Sequence, residues 1–126
     1  MPPGDQPPLH VHHDEDECFL VLAGSVTLWV GDRAPVRIGP GEFARAPKGI
    51  PHSYRVGAEP GEFIVTTDGR FAEFVRAAGT PAPRRELPVL DGPPDVERLA
   101  RIAASHGITL LGPPGMLPSD LTASAA

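Results

Sequence analysis

Three histidines and one glutamate in the first half of the chain have the side chains and the spacing of a metal site. His10 and His12 are two residues apart, Glu17 follows five residues later, and His52 stands in a turn rich in proline and glycine. Neutral imidazole nitrogens and a carboxylate oxygen suit a divalent ion such as Fe, Mn, Ni, Cu, Co or Zn better than Ca or Mg. The sequence therefore predicts one bound divalent transition metal.

Strand geometry explains how His10 and His12 reach the same ion. Side chains alternate between the two faces of a strand, so these two histidines point to one side and His13, if the strand continues, to the other. Glu17 is an odd number of residues from His12, and a continuous strand would place it on the opposite face. We therefore expect residues 13–16 to form a bend that resets the alternation before a new strand begins at Glu17.

The fourth candidate ligand comes from a distant part of the chain. Residues 47–51 read Pro-Lys-Gly-Ile-Pro, which predicts a turn. The strand that follows places His52, Tyr54 and Val56 on one face. His52 is therefore expected to reach the ion from across the fold.

The sequence up to residue 67 predicts short strands separated by turns. The 126 residues include 17 prolines and 14 glycines, which separate short apolar runs in the manner of an all-β domain. Residues 18–22 are continuously apolar and predict a strand buried on both faces, and the short link at residues 23–25 predicts a hairpin with the next strand. In that next strand Val26, Leu28 and Val30 share one face.

After residue 67 the pattern changes from strands to helices. Residues 70–78 and 95–105 carry apolar side chains at helical spacing, and Asp68 is a candidate N-cap for the first helix. Residues 80–94 contain five prolines and predict a stiff covering arm or linker. The predicted division is a barrel core (1–67), a helical extension with the arm packed on the barrel (68–114), and a disordered tail (115–126).

Length, charge and cysteine content limit the classes of function. A chain of 126 residues fits one domain, and its net charge of -5 argues against nucleic acid or an anionic membrane as a partner. The sequence has no apolar run of membrane-spanning length and no secretory signal pattern, and its single cysteine, Cys18, cannot form an internal disulfide. We therefore expect a cytoplasmic protein in which Cys18 is a small core or interface side chain, not a redox centre.

The histidines and glycines resemble the two sequence motifs of the cupin superfamily. The first motif, G-x5-H-x-H-x4-E-x6-G, is matched throughout, and the second, G-x5-P-x-G-x2-H-x3-N, is matched except that Val56 replaces the final Asn. The matching residues are Gly4, His10, His12, Glu17 and Gly24 in the first motif and Gly41, Pro47, Gly49 and His52 in the second. The tail is similar to that of small single-domain cupins of the quercetin-dioxygenase-like kind. The resemblance implies a jelly-roll β-barrel with a short α-helical C-terminal extension.

The same resemblance implies a metal-dependent dioxygenase that acts on a small enolic or phenolic substrate, such as a flavonol or a β-diketone. The implied metal ligands are His10, His12, Glu17 and His52. Glu17 would also serve as the catalytic base, and strand alternation adds Phe19, Val21 and Tyr54 to an apolar substrate pocket. Tyr54 either orients the substrate or only packs. A non-redox isomerase or polyketide cyclase and a non-catalytic small-molecule-binding module remain as alternatives.

The start of the chain carries an expectation about assembly. Cupins of this kind place one or two strands before the first motif, whereas here Gly4 already begins it. The missing strands would leave a neighbouring strand with an uncovered edge, and such edges recruit another chain. We expect a homodimer in which residues 80–94 or a partner strand cover this edge; the alternative is a chain whose true start lies upstream.

Overall fold

The protein consists of two antiparallel sheets that face each other, followed by helices. The structure is a computed structural model that describes residues 1–89 and 91–123. The strands are β1 (Pro8–His12), β2 (Glu17–Ala23), β3 (Val26–Val30), β4 (Val36–Ile38), β5 (Phe43–Ala46), β6 (His52–Val56), β7 (Glu62–Thr66) and β8 (Ile108–Pro114), and the helices are α1 (Arg70–Ala78), α2 (Val96–Ser105) and α3 (Pro118–Ala123). The larger sheet has the order β4-β3-β6-β1-β8 and the smaller one β5-β2-β7. The all-β prediction with a helical extension is confirmed.

The core lies between the sheets and is built from their inward-facing side chains. Its buried members are Phe19, Val21, Val26, Leu28, Val30, Ile38 and Ala46. The alternation predicted for β3 is confirmed, because Val26, Leu28 and Val30 are the buried positions of that strand. Burying one such side chain contributes about 1.5–3 kcal/mol, so the fold has a source of stability that does not depend on a metal ion.

The prediction that β2 is buried on both faces is wrong. Phe19 and Val21 face the core, whereas Cys18 and Leu20 are only partly buried and Leu22 is 47% exposed. β2 is the central strand of the smaller sheet, and that sheet packs on the core with one face only. The continuous apolar run in β2 therefore includes residues on a partly exposed outer face as well as residues that face the core.

The predicted hairpin between β2 and β3 is also wrong, since these strands belong to different sheets. The chain crosses from one sheet to the other at Gly24, which has φ +74. A Cβ atom at this position would lie 2.5 Å from the carbonyl oxygen of Pro60, so only glycine permits this close approach. The hairpin partner of β3 is instead β4.

Helices α1 and α2 occupy the predicted segments. Asp95 caps α2, because its side chain accepts a hydrogen bond from the backbone N–H of Arg98 at 2.9 Å. Asp68 does not cap α1, which begins after Gly69 without a side-chain cap. Within the described residues, no helix has both the length and the apolar character needed to cross a membrane.

The region after α2 differs most from the prediction, because the barrel does not end at residue 67. The segment Ile108–Pro114 forms β8, which pairs antiparallel with β1 and completes the larger sheet. Residues 118–123, expected to be disordered, form α3, and residues 124–126 lie outside the described part. The arm at residues 80–94 is exposed and forms neither helix nor strand where it is described; Leu90 lies outside the described residues.

The pairing of β8 bears on the expected homodimer. β1, the strand that follows Gly4, lies between β6 and β8, so its edge towards β8 is covered within the same chain. That reason for a dimer therefore no longer holds at this edge. The homodimer itself stays a prediction.

Candidate metal centre

The four predicted ligands converge on one point inside the barrel. His10 and His12 lie on β1, Glu17 begins β2, and His52 begins β6 directly opposite His10 in the strand register. His12 and His52 are 1% exposed and Glu17 is 2% exposed. One candidate ligand atom from each side chain can be chosen so that all four lie within 4.8 Å of one another.

The three Nε2 atoms surround one oxygen of Glu17. Glu17 Oε2 is 2.9 Å from His52 Nε2, 3.2 Å from His12 Nε2 and 3.9 Å from His10 Nε2. On their far sides, His10 Nδ1 lies 2.7 Å from the carbonyl oxygen of Pro8 and His52 Nδ1 lies 3.3 Å from that of Ile50. A carbonyl oxygen only accepts, so these Nδ1 atoms carry a proton, and in the neutral form of each ring Nε2 then has the lone pair that a metal ligand needs.

The electrostatics of the site favour an ionised Glu17 beside the imidazole rings. Burial opposes ionisation of Glu17, but the neighbouring imidazoles of His10, His12 and His52 outweigh it and hold the pKa of Glu17 well below its usual range. Burial lowers the pKa of His52, and the nearby Glu17 opposes this shift only in part. The site therefore holds an ionised carboxylate next to three imidazole rings, which is a donor set that a divalent cation can use.

A divalent transition metal fits these residues. Both ring nitrogens of the buried His12 lack a hydrogen-bond partner, and orphaned polar atoms of this kind are costly in a protein interior. The four candidate ligand atoms lie within 4.8 Å of one another, so one ion with bond lengths of about 2.1 Å would be within reach of all four side chains. Several first-row ions share this donor set, so the ligand types alone do not select one metal.

The predicted bend at residues 13–16 is confirmed, and its side chains contact three elements and one turn. The exposed His13 contacts Thr109 on β8, with 2.8 Å between Nε2 and Oγ1, and Asp14 forms an ion pair with Arg70 on α1. Further along, Asp16 accepts hydrogen bonds from Arg45 on β5 and from the backbone N–H of Lys48, in the turn before His52. These contacts of residues 13–16 anchor the loop that joins β1 to β2.

The contacts of Asp16 predict a pH-dependent contribution to stability. The Lys48 backbone N–H and then the Arg45 side chain hold the pKa of Asp16 below its ordinary value of 3.8. A carboxyl group with a lowered pKa in the folded state stabilises the fold above its unfolded-state pKa, and this contribution is lost as the pH falls through the folded-state pKa. We expect Asp16→Asn to lower the urea midpoint slightly at pH 7, with a difference from wild type that shrinks below pH 3.8. The exposed Asp32→Asn is the control, and a difference that grows with acidity would contradict the prediction.

The predicted pocket residues differ in exposure. Phe19 and Val21 are 0% exposed and belong to the core, whereas Tyr54 is partly exposed. Phe19, Tyr54 and Phe63 form a cluster of rings, with 5.5 Å between the centroids of Phe19 and Tyr54. Burial, followed by the charges of Glu17 and Asp5, raises the pKa of Tyr54, so its hydroxyl stays protonated. The Tyr54 hydroxyl lies 3.5 Å from the sulfur atom of Met1.

Sequence reasoning missed two residues that contact His12. Phe71 of α1 packs edge-on against the His12 ring, with centroids 5.3 Å apart. Glu15 is 2% exposed, and its Oε1 lies 3.6 Å from His12 Nδ1. A carboxylate three residues after a candidate ligand was the available signal for Glu15. For Phe71 no local signal exists, because only the packing of α1 against the sheet brings it to His12.

A cavity of about 980 Å³ lies elsewhere, between residues 4–8, α2 and β8. Its lining is largely apolar and includes Arg55, Leu99 and Leu111. None of the four candidate ligands lines it. The cavity is therefore separate from the metal centre.

Comparison with known proteins agrees with the two sequence motifs. A family model described as "Cupin domain" matches residues 1–70. The chain is 34% identical over 110 residues to quercetin 2,3-dioxygenase of Bacillus subtilis (strain 168), a match that covers 86% of this chain and 32% of the relative, so the chain spans about a third of that protein's length. The crystal structure of TT1209 from Thermus thermophilus matches with a TM-score of 0.50 and 35% identity, covering 53% of this chain and 64% of that one. The jelly-roll fold predicted from the motifs is thereby confirmed, and the chain belongs to the cupin family.

Proposed function

We propose that the protein is a metal-dependent dioxygenase that acts on a small enolic or phenolic molecule, with one divalent ion held by His10, His12, Glu17 and His52. The observation that carries the proposal is the buried set of three Nε2 atoms around the Glu17 carboxylate, at 2.9, 3.2 and 3.9 Å. The name of the Bacillus relative, quercetin 2,3-dioxygenase, supports the substrate class. A flavonol or a β-diketone is the expected substrate type.

Each side chain around the candidate metal ligands has a proposed role in the reaction. A bound divalent ion would supply Lewis-acid polarisation of an enol or phenol oxygen. Glu17, which is buried and anionic, would accept the proton of that hydroxyl group as general base. The protonated hydroxyl of Tyr54 would donate a hydrogen bond that orients the substrate. Phe19 and Val21 would form the apolar floor, and Phe71 would shield His12 from water.

Metal analysis combined with oxygen uptake tests this proposal. The purified protein is expected to hold one transition metal per chain, and samples reconstituted with Fe, Mn, Ni, Cu or Co are compared with a Zn sample. Quercetin and a β-diketone serve as substrates, and at least one redox-active sample should consume O₂ as substrate disappears, whereas the Zn sample should not. Substrate conversion without O₂ uptake would favour an isomerase or cyclase, and affinity without turnover would favour a binding module. A chain that takes up none of these metals would overturn the proposal.

Assembly and location complete the proposed description. The outer face of the smaller sheet exposes Phe43 by 61%, and Leu22 and Ile64 by 47% each. An exposed apolar group of this kind supports the proposed homodimer. The single cysteine supports the proposed cytoplasmic location.

A further inference from the structure

We propose that Glu15 is a positioning residue for the metal centre: its buried carboxylate accepts the Nδ1–H of His12, aims His12 Nε2 at the ion, and fastens the start of α1 beside the site. This inference rests on the proposed metal-binding function. It concerns a residue that the two sequence motifs leave unspecified.

The burial of Glu15 distinguishes it from the rest of the acidic bend. Asp14 is exposed and Asp16 is partly exposed, and both pair with arginines, whereas Glu15 is 2% exposed. Burying a carboxylate is costly unless hydrogen bonds satisfy its oxygens. One oxygen, Oε2, accepts the backbone N–H of Asp68 at 3.1 Å. The other, Oε1, has no hydrogen-bond partner.

The unpartnered oxygen of Glu15 faces an unpartnered nitrogen. His12 Nδ1 lies 3.6 Å from Glu15 Oε1, and both atoms are buried without a hydrogen bond. A charge-assisted N–H···O hydrogen bond is about 2.8 Å long, so an approach of about 0.8 Å satisfies both atoms. Two orphaned atoms therefore become partners through one small movement.

The other two histidines show why His12 needs such a partner. His10 and His52 each direct Nδ1 at a backbone carbonyl oxygen two residues earlier, which fixes the ring tautomer. For His12 the structure provides a carboxylate in place of a carbonyl. A carboxylate that accepts the Nδ1–H of a ligating histidine fixes its ring and makes Nε2 a better donor to the metal.

Glu15 also joins the site to α1. Its Oε2 accepts a hydrogen bond from the backbone N–H of Asp68. Asp68 immediately precedes Gly69, the N-cap of α1, and no side chain caps this helix. One turn further, Phe71 packs against His12. His12 is thus held by Glu15 at Nδ1 and by Phe71 at the ring, and the loss of Glu15 is expected to loosen both contacts.

The test compares substitutions at Glu15 in the full chain. Glu15→Leu removes the acceptor at similar volume, Glu15→Gln keeps a carbonyl oxygen that can accept, and Asp32→Asn removes an exposed charge outside the bend as a control. Chelator competition with Co²⁺ is expected to show affinity about 10- to 100-fold weaker for Glu15→Leu, the range found for outer-shell partners of metal-bound histidines. Glu15→Gln should lose much less, and Asp32→Asn should match wild type.

A second readout needs no metal. Nitrogen-15 NMR of the metal-free protein should show His12 of wild type as one tautomer with the proton on Nδ1, and as a tautomer mixture in Glu15→Leu. The Asp68 amide should also exchange with solvent faster in that variant. If Glu15→Leu does not fold, Glu15→Asp replaces it, because its shortened carboxylate should give the same direction of change.

The two proposals fail separately. Wild-type protein that binds no metal would contradict the proposed function, while the His12 tautomer and Asp68 exchange would still decide the role of Glu15. Normal Co²⁺ affinity in the folded Glu15→Leu or Glu15→Asp protein, with an unchanged His12 tautomer, would overturn the positioning role and leave the metal site intact.

Discussion

Replacing His52 by alanine is expected to remove stoichiometric metal binding from a chain that stays folded. His52 is 1% exposed and supplies the Nε2 atom that lies 2.9 Å from Glu17 Oε2. No other described imidazole is positioned to replace it, because the cluster contains only His10 and His12 besides. The loss of affinity for Co²⁺ or Zn²⁺ should exceed the roughly 10- to 100-fold effect of losing an outer-shell partner. The fold should survive because the core cluster between the sheets does not include His52.

His13→Ala is the matched control for this experiment. His13 is adjacent to His12 in sequence but exposed, and its ring contacts Thr109. Elemental analysis and chelator competition should therefore give wild-type values for His13→Ala, and circular dichroism should show β structure in both variants. Full metal content in a chain that lacks all four candidate ligands would show that the ion binds elsewhere.

The parts of the site that depend on local periodicity could be predicted from the sequence. His10 and His12 share a face because β1 is a regular strand, and Glu17 joins them because residues 13–16 bend the chain. The position of His52 follows from the proline and glycine turn before β6. In each case the backbone conformation depends on residues close together in the sequence, so the sequence pattern predicts it.

The parts that depend on distant packing could not be predicted. β8 is recognisable only through its pairing with β1, and its own sequence is interrupted by Gly112, Pro113 and Pro114, which are poor strand signals. The sequence around Gly24 predicts a hairpin, because only the contact of Gly24 with Pro60 in the folded chain shows that the chain changes sheets. Glu15 lies in an acidic run that is typical of a solvated loop, and its burial arises from contacts with His12 and Asp68.

Replacing Glu17 by glutamine is expected to reduce turnover far more than it reduces metal binding, provided that the protein is the proposed dioxygenase. The amide keeps an oxygen that can coordinate weakly, but it has no basic carboxylate to accept a proton. General base catalysis contributes about 10²- to 10⁴-fold, so turnover per bound ion should fall within that range. The pKa of Glu17 lies well below its usual range, so its carboxylate is ionised at neutral pH and can accept a proton that the glutamine amide cannot.

The measurement divides kcat by the metal content of the same sample, which separates loss of the ion from loss of the base. Tyr54→Phe is the companion variant: it removes the hydroxyl but leaves the three-ring cluster with Phe19 and Phe63 in place. If Tyr54 orients the substrate, this variant should raise KM without changing metal content. If Glu17→Gln loses turnover only in proportion to its metal, Glu17 is a ligand and not a base, and the proton of the substrate must leave by another route.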